Sequence, residues 1–176
     1  MKRSIPIFIL GLVLLGIMLY VFRGKFLESD PEVSPPTNIS TPVAVYNERP
    51  DLNITHIDGS QLNVRTIKEK AVLVFFQPDC DHCQREATQI QQNLVAFKDY
   101  QLYFISDGAL PQIAAFAQEY KLAGNPAIHF SQTSISDIMR TIGSVQLPSV
   151  YVYSNKGKLV KSFIGETPIG SILSVL

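Results

Sequence analysis

The sequence predicts an α/β fold: a central mixed β-sheet flanked by helices, with an added N-terminal β-hairpin at the front of the domain. Three observations carry this expectation. Residues 71–76 (AVLVFF) form an unbroken apolar, β-rich run, the pattern of a strand covered on both faces. After it, β-like runs alternate with segments of helical periodicity, which implies parallel strands joined by right-handed crossovers. Two turn signals, Asp58-Gly59 and Asn155-Lys156-Gly157, each lie between β-like runs and mark antiparallel hairpins near the two ends of the domain.

In chain order, residues 53–57 and 61–64 alternate partially between apolar and polar on either side of Asp58-Gly59, and form the opening hairpin. Residues 71–76 follow as the buried central strand and end at the turn Gln77-Pro78-Asp79. Ala87, Ile90, Leu94 and Phe97 then recur at three- and four-residue spacing, as on one face of a helix. A strand at 102–106 comes next, and then a helix at 111–121 whose Ile113, Phe116, Ala117 and Tyr120 share a face. A short strand at 127–130 and a short helix at 136–142 lead to the closing hairpin, 147–153 and 159–164. Residues 168–176 form a final helical stretch.

Upstream of the domain, residues 5–22 are an uncharged apolar run flanked by Lys2, Arg3, Arg23 and Lys25. As a helix rising about 1.5 Å per residue, it nearly crosses a hydrocarbon core of about 30 Å. Bulky residues end it rather than the small ones of a cleavage site, so residues 1–27 are expected to be an uncleaved single-pass membrane anchor. The flanking charges balance and leave its orientation open. Residues 28–50 contain Pro31, Pro35, Pro36, Pro42 and Pro50 among polar residues and read as an extended linker. The globular domain is then residues 51–176.

Fifteen basic and fifteen acidic side chains cancel, which argues against a nucleic-acid partner. The chain has two cysteines, Cys80 and Cys83, too few for a disulfide scaffold, so they point to redox chemistry or metal binding. In the first turn of a helix, residues i and i+3 share a face at a separation that a disulfide can bridge. Unpaired N–H groups at the helix start favour negative charge, which makes Cys80 the expected attacking thiolate. Cys83, one turn further in, is expected to resolve the mixed disulfide. His82 when protonated favours a neighbouring thiolate and Asp81 opposes it, so His82 is an auxiliary candidate. A zinc site would need two further ligands. His56 and His129 stand alone in expected strands, so no metal and no cofactor are expected.

The run Phe75-Phe76-Gln77-Pro78-Asp79-Cys80-Asp81-His82-Cys83 after a buried strand, with Leu147-Pro148-Ser149 before another, resembles thioredoxin over about residues 50–176. The anchor, the leading hairpin and the extra length between the motifs look most like the membrane-tethered TlpA/ResA group. The resemblance implies a thioredoxin-like fold with a redox-active Cys80–Cys83 disulfide. It also implies a cis peptide at Pro148 facing the cysteines, and a role for Glu86, where ResA-like proteins carry a glutamate that modulates the pair. Asp79 stands where tryptophan is usual, and Val74 where cytosolic thioredoxins bury an aspartate, so an acid acting on Cys83 must come from elsewhere.

By the same resemblance, the domain would face the periplasm or the outside of a bacterial inner membrane. It would act, chiefly as a reductase, on extracytoplasmic protein thiols and disulfides, supplied by a membrane or periplasmic electron donor. Two alternatives use the same cysteines: a peroxiredoxin-like peroxidase, although Cys80 lacks the threonine of the usual peroxidatic pattern, and a copper-binding or chaperone module.

Overall fold

The computed structural model describes residues 47–176, together with residues 17, 18 and 20. Apart from those three, the expected anchor lies outside the described residues, as does the expected linker up to residue 46. Among the described residues, no helix is long and apolar enough to cross a membrane.

Seven strands form one sheet in the order β2-β1-β5-β4-β3-β6-β7. They are β1 (Asn53–His56), β2 (Gln61–Asn63), β3 (Ala71–Phe75), β4 (Gln101–Ser106), β5 (Ile128–Gln132), β6 (Ser149–Tyr153) and β7 (Leu159–Ile164). β3, β4 and β5 run parallel, while β6 pairs antiparallel with β3, and β7 with β6. The β1–β2 hairpin joins the β5 edge through Thr55↔Gln132 and His56↔Ser131. Its turn places Gly59 at φ 86°, a conformation glycine adopts without strain. The helices are α1 (Asp81–Gln92), α2 (Leu110–Glu119), α3 (Ile135–Thr141) and α4 (Ile169–Leu173).

All five residues of β3 are buried, because side chains of alternating direction meet a packed layer on each face. Val72 and Val74 pack with Ala87 and Ile90 of α1, Ile113 and Phe116 of α2, and Ile172 of α4. Ala71, Leu73 and Phe75 face Val64, Ile138 and Ile142 on the other side. The thioredoxin-like architecture is thus a sheet between two helical layers, and β3 delivers the chain from its centre to the start of α1.

α1 ends sooner than the spacing of Leu94 and Phe97 predicts. At Asn93 the backbone leaves the helix (φ −121°, ψ 21°), and its side-chain amide donates to the Gln89 carbonyl at 2.8 Å. This is the local competition through which asparagine disfavours helix interiors. Leu94–Phe97 forms a separate 3-10 turn that still puts Phe97 in the core. The folded unit also takes in residues that composition assigned to the linker. Glu48 bridges Lys158, and the buried Arg49 donates to the carbonyls of Ile67, Glu69 and Ser154.

Candidate functional site

β3 gives way to Phe76, whose N–H donates to Ile105 O at 3.1 Å, and then to the turn Gln77-Pro78-Asp79. The Cys80 N–H closes that turn on Gln77 O at 3.2 Å, and Cys80 O accepts from the Gln84 N–H at 3.0 Å, starting α1. Cys80 is the N-cap of α1, with extended backbone, and its Sγ accepts from the Cys83 N–H at 3.3 Å. Sulfur occupies the place where serine or aspartate oxygen usually receives an orphan helix donor. That contact satisfies one of the N–H groups left unpaired at the helix start. Both cysteines are free thiols. Cys80 is partly exposed, whereas Cys83 retains 2 % exposure in the core beneath. Burial pushes the Cys83 thiol well above the ordinary range, and its hydrogen bond with Cys80 adds to the shift. Cys83 therefore rests as a thiol and needs a base before it can attack.

One turn beyond Cys83, Glu86 is 1 % exposed, not a solvated helix carboxylate. Burial pushes its carboxyl up to about 7, against the Thr167 N–H, which donates to Oε2 at 3.1 Å. Its Oε1 has no hydrogen-bond partner among the described residues. A buried acid poised near neutrality, with one oxygen free, can take up or release a proton. Its charge also acts on Cys83.

His82 sits on the exposed side of the first turn. Its Nδ1 lies 2.6 Å from Glu166 Oε2 and 2.7 Å from Arg85 Nη2. Arg85 grips Glu166 with two parallel bonds, Nε to Oε1 at 2.8 Å and Nη2 to Oε2 at 2.7 Å. Hydrogen bonds from Arg85 and then His82 hold the Glu166 carboxyl down at about 2.

Across from α1, the Leu147–Pro148 peptide is cis. Pro148 is buried immediately before β6, whose Ser149 pairs with Phe75 of β3, so both segments emerge at the same end of neighbouring strands. Leu147 packs against the same cluster as Cys80. Gln77 ties the cysteine turn to the β4–α2 loop: its Oε1 accepts from Ser106 Oγ at 3.0 Å, and its amide donates to Asp107. A groove of about 370 Å³ runs from Gln77, Pro78 and Asp79 to Gln112, Phe116 and Glu119 of α2.

The structure therefore brings Cys80, Cys83, His82, Glu86 and Pro148 to one end of the sheet. His56 and His129, isolated in sequence, meet elsewhere with ring centroids 5.6 Å apart, and His129 stacks on Tyr103 at 4.7 Å. Among the described residues, no group of three or more His, Cys, Asp or Glu side chains could hold a metal ion. Sequence reasoning missed Glu166 and Thr167, which lie 81 positions or more from their partners on α1. Gly165-Glu166-Thr167-Pro168 carries no local signal beyond that of a turn.

A model of the AhpC/TSA family matches residues 45–162, a span that includes both cysteines and Pro148. The chain belongs to the AhpC/TSA family. Among solved structures, this AhpC/TSA protein is similar to a secreted Mycobacterium tuberculosis disulfide oxidoreductase homologous to E. coli DsbE. The two are 18 % identical with a TM-score of 0.58, over 72 % of this chain and 96 % of that one. It is similar to StoA from Bacillus subtilis at 18 % identity and a TM-score of 0.55, over 69 % of this chain and 92 % of that one. It also resembles Arabidopsis thaliana ScoI with copper bound, at 15 % identity and a TM-score of 0.58, over 73 % and 94 % of the two chains. No curated protein sequence matches the chain. These likenesses establish the thioredoxin-like fold.

Proposed function

We propose that this family member is a thiol-disulfide oxidoreductase that exchanges electrons with protein substrates outside the cytoplasm, chiefly as a reductase. One observation carries the reading: a partly exposed Cys80 sulfur at the α1 N-cap, with the buried Cys83 donating its N–H to it at 3.3 Å. In the reducing direction the Cys80 thiolate attacks one sulfur of a substrate disulfide. A Cys80–substrate bond forms, and the other substrate sulfur leaves as a thiolate that takes a proton from solvent. Cys83 then passes its proton to the Glu86 carboxylate and attacks the Cys80 sulfur. The second substrate thiolate leaves, and two electrons have moved from the dithiol to the substrate. An extracytoplasmic donor returns the Cys80–Cys83 disulfide to dithiol. The apolar run at 5–22 and the proline-rich stretch after it support a tethered domain with its site in the aqueous phase.

The test is a trapping experiment. Cys83→Ser, offered a disulfide-bonded peptide, should accumulate a mixed disulfide on Cys80 detectable by mass, and Cys80→Ser should form none. Equal trapping by both variants would end the proposal. Sustained peroxide turnover by Cys83→Ser would instead select a peroxidase, and stoichiometric copper(I) binding without exchange would select a copper module.

A further inference from the structure

The turn that leads into the cysteines is held from outside by the connection between β4 and α2. Ser106 Oγ accepts the Gly108 N–H at 3.0 Å, which leaves its own proton for Gln77 Oε1, also at 3.0 Å. The Gln77 amide nitrogen then faces Asp107, whose carboxylate accepts from it. Donor and acceptor are fixed at every bond, so the Gln77 side chain has one orientation. Gly108 leaves room for this arrangement: a Cβ there would lie 3.2 Å from Ser106 Oγ and 3.4 Å from both Gln77 Oε1 and Pro78 Cδ. The connection is itself fastened to the end of β5, where Thr133 N–H donates to Ser106 O and Gln132 Nε2 to Gly108 O, both at 2.9 Å. From the other side, Gln84 Nε2 of α1 donates to Pro78 O at 3.0 Å.

We propose that Gln77 is a positioning residue for disulfide closure: seated against Ser106, Asp107 and Gly108, it fixes the place of Cys80 relative to Cys83. This inference rests on the dithiol-exchange reading and names what aligns its second step. The two cysteines are held differently. Cys83 is gripped by the core through its own helix, whereas Cys80 precedes the helix and its N–H is bonded to Gln77 O at 3.2 Å. The place of Gln77 therefore sets the place of Cys80, and the β4–α2 connection sets Gln77. In the first step, the partly exposed Cys80 meets a substrate disulfide that is free to adjust its approach. In the second, Cys83 attacks the Cys80 sulfur, and both groups have only the geometry that the fold supplies. Alignment counts most in the step between two fixed groups, so releasing Gln77 slows closure far more than it slows attack.

The test separates the two steps. Formation of the mixed disulfide with a disulfide-bonded peptide is timed in the Cys83→Ser background, and closure is timed by single-turnover quench with both cysteines present. Gln77→Met, which keeps the length of the side chain and removes both of its bonds, should slow closure about tenfold more than formation. Gly108→Ala, which removes no donor or acceptor but crowds the same atoms, should move the ratio in the same direction. Gln77→Glu brings two carboxylates together and should also slow closure. Adding Asp107→Asn returns a donor to face the new acceptor, keeps the net charge of the wild-type pair, and should restore closure. Ile67→Val, a buried truncation outside the site, should leave the ratio unchanged. Equal slowing of both steps by Gln77→Met, failure of the reciprocal pair to rescue, or the same response in Ile67→Val would overturn the proposal. Hydrogen exchange provides an arm independent of sulfur chemistry. The Cys80 amide, bonded to Gln77 O, should exchange about fivefold faster in Gln77→Met, and an unchanged rate would also overturn the proposal. A wild type that forms no mixed disulfide would sink the dithiol reading itself, and the Cys80 amide would still show whether Gln77 holds that residue in place.

Discussion

On one face of the sheet, beneath α1, Glu86 is almost wholly buried and its Oε1 is left without a partner among the described residues. On the other face, His56 and His129 are half-buried beside Tyr103, and each has a bound nitrogen: His56 Nδ1 with Ser131 Oγ at 2.7 Å, His129 Nε2 with Gln101 Oε1 at 2.9 Å. Both regions place titratable groups where water is scarce. A bonded group helps fix the packing of its neighbours, whereas an orphaned one carries a penalty that folding alone does not justify. The histidines thus read as architecture holding the β1–β2 hairpin to β5 and β4, and Glu86 reads as chemistry.

The two regions also respond to acid with opposite sign. Glu86 is raised to about 7 in the fold, above the ordinary carboxylate value, so the native state binds the extra proton between those limits. Its contribution to stability is full below the unfolded value and is lost as pH rises through 7. Burial lowers both histidines, and the proximity of His56 lowers His129 further. Their contribution is present above about 6.5 and is lost as pH falls.

The largest expected effect is kinetic. Glu86→Gln should slow the resolution of a trapped mixed disulfide by about a hundredfold, the scale of a lost general base, measured by single-turnover quench. An unchanged rate would move Glu86 to the structural side of the comparison. Next in size, the stability difference between Glu86→Gln and wild type should shift by about 3 kcal/mol in the variant's favour from pH 4.5 to pH 8. Urea unfolding at several pH values would show it. Smaller again, His129→Phe keeps a ring on Tyr103 but loses Gln101, and should cost about 1 kcal/mol at pH 8 with no change in exchange rate. Its penalty should shrink as pH falls below 6.5, because the variant no longer has a buried imidazole to charge. A slowed exchange rate in His129→Phe would mean that the two regions are coupled.

Much of this was open to sequence reading because it is local. AVLVFF declares a strand buried on both faces, Asp58-Gly59 a hairpin turn, and the cysteine spacing a helix start. The site's supporting parts are not local. Glu166 meets Arg85, and Thr167 meets Glu86, across 81 residues, and no pattern in either segment announces the other. Arg49 looked like linker because its partners are backbone carbonyls, which every segment possesses. The early stop of α1 turned on one asparagine whose side chain outcompeted the apolar repeat.

The atom that caps α1 is also the atom that reacts. Whenever Cys80 is joined to a substrate or to Cys83, its sulfur belongs to a disulfide, and the Cys83 amide proton meets a different acceptor. Each covalent intermediate therefore changes the cap of the helix's first turn, and each release restores it. A single backbone amide, that of Cys83, becomes an unlabelled gauge of sulfur occupancy, readable by its resonance position and solvent-exchange rate throughout the cycle.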